Sequence, residues 1–292
     1  MHLKRAAYAV ALVSTVLWGG NFVAVRLALE HFDPYLLTAL RFAFVASLVP
    51  LVGWPRLPLP TLLLYALCSG IGQYLLSTVA IDLGLSPGLA ALLMQFQVFI
   101  SLALGRLVLG EVIRVATVVG SVLGLVGLTG VLTMGQSKAP LLASALCLIA
   151  AAGWAAANMV IKRCPESMIR LQGATGLVCL PVVLLVRELM LPSAPSLPQA
   201  LMQAPLVGWL PVAYVVLASF AIAQVLWGRA IGAIGVAATA PFALLIPVFG
   251  VALAWLLVGE RLSTQLLLSA TVVLLGVGVH VLSLLLQPAS VR

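Results

Sequence analysis

Apolar runs of about twenty residues recur from one end of this 292-residue chain to the other, and they restrict its fold more than any motif does. In hydrocarbon, backbone N–H and C=O groups must pair internally, which leaves helices or closed barrels. The runs are continuously apolar instead of alternating, so helices are expected. With charges, Pro and Gly as punctuation, ten spans fit, near 6–29, 35–53, 60–81, 87–107, 112–134, 139–161, 168–190, 207–228, 234–258 and 264–286. The connections are short, and the longest, 192–205, is rich in Pro and Ser and reads as an exposed loop. His2, Lys4 and Arg5 before the first run resemble a signal peptide, but the run continues to Leu29 without a small-x-small cleavage site, so an uncleaved first span is expected. Composition agrees: 63% of residues are hydrophobic and 8% charged, against about 45–50% and about 25% in soluble domains. Seven acids and fifteen bases cannot coat a soluble fold of this size, which excludes a soluble enzyme, a nucleic-acid binder and a disordered chain. The expected fold is all-α and polytopic, with ten transmembrane helices.

The net charge of +8 is spread over bases at span ends, with no block longer than Lys4-Arg5 or Lys162-Arg163. That is a pattern of topology determinants and not of a phosphate-binding patch, so no nucleic-acid partner is expected. With the amino terminus inside, Lys4, Arg5, Arg56, Arg106, Arg114, Lys162, Arg163, Arg170, Arg229 and Arg292 face the cytoplasm. Arg26, Lys138, Arg187 and Arg261 face outward. Ten bases against four predict that both termini are cytoplasmic. Cys68, Cys147, Cys164 and Cys179 have neither CxxC nor CxxH spacing, so neither a disulfide framework nor a metal site is expected.

The chain also repeats itself. Trp18, Asn21 and Arg26 in span 1 match Trp154, Asn158 and Lys162 in span 6, with the same spacing from Trp to base. Gly110-Glu111 after span 4 matches Gly259-Glu260 after span 9, Tyr65 matches Tyr214, Gly127 matches Gly276, and Pro50 matches Pro181. Two repeats, 1–137 and 138–292, each hold five spans. An odd number means that the second half enters the membrane from the opposite side. Such inverted repeats accompany alternating access around a midplane site.

At Trp18-Gly19-Gly20-Asn21-Phe22, at Arg41-Phe42 and at the two Gly-Glu pairs, the sequence resembles the drug/metabolite transporter superfamily, and within it the ten-helix EamA-type exporters. The resemblance covers essentially the whole chain. It implies a five-plus-five inverted repeat, a central cavity lined by helices 1, 3, 4, 6, 8 and 9, and a multi-pass protein of the bacterial inner membrane. It further implies a small-molecule substrate, no cofactor, and a monomer or weak homodimer in the lipid bilayer. Amino-acid exporters, including those for aromatic amino acids, are the most similar type.

Helical spacing places Ser14, Trp18, Asn21 and Val25 on one face of span 1, and Trp154 and Asn158 on one face of span 6. Tyr65, Ser69, Gln73 and Ser77 form a polar stripe on span 3, and Gln224 and Trp227 share a face of span 8 with Phe220 behind them. Gln95 and Gln97 lie about 200° apart on span 4 and do not face one cavity together. Buried amides and hydroxyls also join helices by hydrogen bonds worth about 0.6–2 kcal/mol each, so polar glue is the rival to a cavity lining. The Trp–Asn pairs weigh toward a cavity because both halves carry one. Candidate substrate contacts are Trp18, Asn21, Gln73, Tyr74, Gln95, Trp154, Asn158, Gln224 and Trp227, with aromatic faces on an apolar body and amides on its polar ends.

Arg41 is the one base inside a span. It reads either as a carboxylate clamp or as a structural charge paired with Glu30, Asp33 or Asp82, and the structural reading is favoured. Glu111 and Glu260, beside Arg106, Arg114 and Arg261, are read as structural helix-end acids or ion pairs, and His280 as a packed or hydrogen-bonded residue. No Asp or Glu lies near the middle of a span, and a site alternating between proton and substrate needs one, so a facilitator is expected. Pro241 and Pro247 interrupt span 9 as hinges, and the Gly-rich spans 5 and 10 are read as scaffold. Gly84-Leu85-Ser86-Pro87-Gly88 satisfies G-x-S-x-G but joins two spans, so it reads as a turn and not a nucleophile elbow. No enzyme constellation is present. A proton-coupled drug exporter and a non-transporting scaffold or lipid-handling protein are the alternatives.

Overall fold

The computed structural model describes residues 2–85, 87–132, 140–164, 166–250, 253 and 264–285. Glu260 and Arg261 lie outside them, as do Gly259, Lys138 and Arg292. Among the described residues there are helices and no strands. The main helices are α1 (Ala6–Ala28), α2 (Pro34–Val52), α3 (Leu59–Asp82), α4 (Phe96–Leu109, preceded by the shorter Pro87–Leu93), α5 (Val115–Leu132), α6 (Leu141–Arg163), α7 (Met168–Met190), α8 (Leu206–Ile234), α9 (Val236–Gly250) and α10 (Thr264–Leu285). Six of them, α1, α2, α3, α6, α7 and α8, are long and apolar enough to cross a membrane, and the apolar stretches of the other four run for 10–17 residues. The connection expected as a bare loop holds the short helix Leu197–Gln203, started by a capping box between Ser196 and Gln199.

Helix ends follow local chemistry. Pro34 occupies the first turn of α2, and the Asp33 side chain accepts from Leu36 N at 2.8 Å. At the end of α3, Gly84 adopts φ +94 while Leu85 N reaches Ala80 O at 3.1 Å and Gly84 N reaches Ile81 O at 3.0 Å. That paired closure is a Schellman ending, so the G-x-S-x-G string begins as a helix stop; Ser86 itself lies outside the described residues.

The bases of one end serve helix termini. Arg170 Nε donates to Val52 O at 2.6 Å, Arg163 Nη2 to Val108 O at 2.7 Å, and Arg114 Nη1 to Ser283 O at 2.7 Å. Lys162 Nζ reaches Gly232 O at 3.4 Å. These carbonyls close α2, α4, α10 and α8, where orphan acceptors and the negative dipole end favour cations. Arg187 is buried: its Nε meets Asp33 Oδ2 at 2.8 Å and its Nη2 donates to Pro195 O at 2.9 Å. It ties α7 to the start of α2 and to the following connection.

Packing pairs α5 with α10, α2 with α7, α1 with α8, and α3 and α4 with α6. Several seams depend on glycine. Gly72 and Gly153 bring α3 and α6 into backbone contact, and Gly120 and Gly276 do the same for α5 and α10.

Besides single-residue breaks at Gly20 in α1 and Leu48 in α2, regular winding fails over longer stretches or turns in four helices. From Ala66 to Leu75 α3 adopts π-helical winding, and α8 does so from Tyr214 to Ile222, close to the offset that separates Tyr65 from Tyr214. Helix α4 is separated from Pro87–Leu93 by a turn at 94–95, and α9 tightens to a 3₁₀ stretch over Ala240–Leu245. Pro241 sits at the start of that stretch and Pro247 just after it, where missing N–H groups and ring bulk disfavour regular α winding. Such irregular turns are frequent at functional sites, and here all four surround the centre of the bundle.

Candidate functional site

Three indole rings meet at that centre. Trp18 stands edge-on to Trp154 with centroids 5.1 Å apart, Trp227 lies 5.1 Å from Trp18, and Trp154 and Trp227 are 6.0 Å apart. Beside them is a cavity of about 30 Å³, room for about one water molecule. Helix α1 contributes Trp18, Asn21 and Phe22, and α3 contributes Gln73, Tyr74 and Ser77. Met94 comes from the turn before α4, Trp154 from α6, Ser219 from α8 and Ile246 from α9. Residues 73 and 74 both reach the cavity because π winding places more residues in each turn, narrowing the angle between neighbours.

Of the nine residues singled out from the sequence, Trp18, Asn21, Gln73, Tyr74 and Trp154 line this cavity. The other four stand behind it. Asn158 Oδ1 accepts from Trp227 Nε1 at 3.1 Å, and its Nδ2 reaches Ser101 Oγ at 3.5 Å. Gln224 Oε1 accepts from Tyr74 OH at 3.0 Å. Gln95 lies in the turn before α4, where its Nε2 donates to Ala91 O at 2.8 Å. Trp227 is fully buried against the other two indoles. Gln97 Oε1 accepts from the same Ser101 Oγ at 3.0 Å, which joins it to Asn158. The site is therefore two shells of polar groups, the outer one holding the inner.

The inner shell is partly committed. Trp18 Nε1 donates to Ser219 O at 2.9 Å, and Ser219 Oγ donates to Asn21 Oδ1 at 2.7 Å, tying α1 to α8. In contrast, Trp154 Nε1 and Gln73 Oε1 are buried without a hydrogen-bond partner. A buried, unpaired donor and acceptor are costly and mark where a ligand's polar groups would be held. Sequence reasoning did not single out Phe22, Met94, Ser219 or Ile246. Ser219 carried no motif, and the break beside Met94 contains neither Pro nor Gly.

Glu111 does not form the ion pair that neighbouring Arg106 and Arg114 suggested. Gly110, at φ +67, ends α4 and turns Glu111 toward α9, where Oε1 accepts from Val236 N at 3.0 Å and Oε2 from Ala237 N at 2.8 Å. The first N–H groups of α9 are orphans by construction, and a carboxylate is their favoured acceptor. Replacing Glu111 by Ala is expected to destabilise the fold by about 1–2 kcal/mol, with Glu111→Gln losing less because one acceptor oxygen remains. Thermal unfolding of the purified protein in detergent checks this, and equal melting of wild type and Glu111→Ala would refute it. His280 is buried between Thr117 Oγ1 and Ala238 O, each at 3.1 Å. Nε2 must donate to the carbonyl, so Nδ1 accepts from the threonine.

Two of the wider recesses are lined by charged residues near helix ends. One of about 420 Å³ is bordered by Glu111, Arg114 and Lys162, and one of about 360 Å³ by His31, Asp33 and Arg187. The lining of the central cavity includes no acid. The four cysteines are free thiols, and no group of His, Cys, Asp or Glu among the described residues could hold a metal ion.

Comparison with known proteins places this geometry among its relatives. The chain matches the EamA-like transporter family over residues 5–133 and again over residues 141–282. It is 31% identical over 279 residues to a protein of Salmonella typhimurium named as a probable amino-acid metabolite efflux pump, covering 93% of each chain. A protein of the same name from Escherichia coli is 29% identical over 290 residues, 97% of each chain. A solved crystal structure shares the fold with a TM-score of 0.76, covering 95% of this chain and 98% of that one at 20% identity.

Proposed function

The chain belongs to the EamA-like transporter family, and on that premise we propose that it exports small amphiphilic metabolites, aromatic or other apolar amino acids foremost, by alternating access. It is a multi-pass membrane transporter and not an enzyme. The observation that carries the substrate reading is the central cavity, where three indoles adjoin an unpaired donor on Trp154 and an unpaired acceptor on Gln73. Indole faces suit an apolar side chain, and the unpaired groups suit the polar end of the same molecule. Relatives named as amino-acid metabolite efflux pumps support that class.

In this reading the ten helices form two inverted repeats, 1–137 and 138–292, with both termini cytoplasmic. Its supports are the two successive family matches, the reciprocal packing of α1 on α8 and α6 on α3, and the bases that close α2, α4, α8 and α10 at one end. A small central cavity of about 30 Å³, with wider recesses lined by residues near the helix ends, supports a site reached from each end in turn. Transport is facilitated diffusion: no acid lines the centre, and both ring nitrogens of His280 are committed.

Uptake of labelled amino acids, nucleosides and a cationic dye into proteoliposomes, with and without an imposed pH gradient, tests the proposal. Saturable amino-acid movement indifferent to the gradient is expected, falling at least about tenfold in Trp154→Ala, a loss of about 1.4 kcal/mol of binding. Gradient-driven dye movement would instead identify a proton-coupled drug exporter.

A further inference from the structure

Arg41 lies within α2 with 1% of its surface exposed. No carboxylate pairs with it among the described residues. Asp33, one of the three acids expected to neutralise it, is bound to Arg187 and to the first turn of its own helix. Arg41 Cζ sits instead 5.5 Å from the centre of the Tyr74 ring, and its Nε and Nη2 have no hydrogen-bond partner. These two nitrogens form one edge of the guanidinium, with parallel N–H bonds that match the two oxygens of a carboxylate. An unneutralised cation in a membrane-spanning segment is expensive, and such charges face a substrate path or a partner.

The ring that the guanidinium lies over is itself part of the cavity. Tyr74 lines the centre beside Gln73, its hydroxyl donates to Gln224, and its ring meets Phe220 edge-on at 4.6 Å. One aromatic side chain thus separates the guanidinium from the space that the transport reading assigns to substrate.

We propose that Arg41 is the carboxylate-binding subsite of the central cavity, so that the transported molecules carry a carboxylate. The inference rests on the cavity being the transport site. When substrate enters, the Nε–Nη2 edge exchanges the π face of Tyr74 for both carboxylate oxygens, a stronger partner for a desolvated cation. The unpaired Gln73 oxygen then suits an ammonium group of the same molecule. An ammonium compound without a carboxylate leaves Arg41 unneutralised and binds poorly.

The test is ligand-dependent thermal stabilisation of the purified full chain in detergent. The probes are L-phenylalanine and L-leucine, their carboxylate-only analogues 3-phenylpropionate and 4-methylpentanoate, and their amine-only analogues phenethylamine and isopentylamine. Amino acids and carboxylates are expected to stabilise wild type, and the amines are not. Arg41→Gln is expected to weaken carboxylate binding at least about tenfold, and Arg41→Lys, which keeps the charge without the fork, by less. Equal stabilisation by amines, no carboxylate-dependent stabilisation at all, or an Arg41→Gln protein that binds like wild type would each overturn the proposal. The wild-type comparison decides even if Arg41→Gln does not fold. Trp154→Ala separates the two readings: if it binds carboxylates normally and still transports, the cavity assignment fails while an Arg41 anion site stands.

Discussion

Trp227→Ala is expected to abolish transport and to destabilise the protein by about 2–4 kcal/mol, although Trp227 does not line the cavity. Its ring is fully buried and packs on both cavity-lining indoles, at 5.1 Å from Trp18 and 6.0 Å from Trp154. Removing it leaves a void and strips the two rings of their support. In a soluble core the cost of such a truncation includes the transfer of apolar surface from water. Within lipid that part is small, because the surroundings are as apolar as the side chain, so the loss comes from packing and the cavity. A polar cost is added, since Asn158 Oδ1 loses the indole N–H at 3.1 Å. Trp227→Phe separates the two: it keeps most of the packing and loses the hydrogen bond, with about 1–3 kcal/mol of destabilisation. Detergent melting and proteoliposome uptake of the same preparations give both readouts. A Trp227→Ala protein that melts and transports as wild type does would show that the outer shell does not hold the inner one.

Gly276→Leu is expected to have an effect of similar size by the opposite route. A Cβ built on Gly276 would lie 2.5 Å from Gly120 O and 2.7 Å from Gly124 N. Both are backbone atoms of α5, so no rotamer change relieves the clash and the two helices must separate. Overpacking of this kind costs about 1–3 kcal/mol or more, and separation also loosens His280, which bonds α10 to Thr117 of α5. Gly278 is the internal control, because nothing lies within 4 Å of its added Cβ. Gly278→Leu should melt within about 0.5 kcal/mol of wild type. The expected result is loss of folded, monodisperse protein for Gly276→Leu and none for Gly278→Leu. Equal behaviour of the two variants would refute the scaffold role read for α5 and α10.

Much of the helical architecture was legible because its signals are local. Apolar runs marked the helices, Asp33 and Pro34 marked the start of α2, and Gly110 marked the end of α4. Trp18 and Trp154 stood out because each has an Asn nearby and the same spacing to a base, and both line the cavity. The same spacing logic could not separate Asn21, which borders the cavity, from Asn158, whose side chain is taken by Trp227 and Ser101. Nor could it foresee the π winding of α3 and α8, which alters which residues share a face. Glu111 read as a helix-end acid or as half of an ion pair, and local sequence could not choose: helix α9, more than a hundred residues away, supplied the donors.

By itself, the sequence determined that this protein is a helical membrane protein and which segments form its apolar helices. Hydrocarbon cannot hydrogen-bond the backbone, so each apolar run must satisfy its own N–H and C=O groups, and that requirement is contained within the run. Tertiary structure alone decided which polar side chains pair across helices and which stay unpaired. That choice depends on partners brought from far along the chain: Ser219 for Trp18 and Asn21, Trp227 for Asn158, and Asp33 for Arg187. A buried polar group takes the best partner within reach, so the groups left without one, Arg41, Gln73 and Trp154 among them, became visible only once every helix was in place.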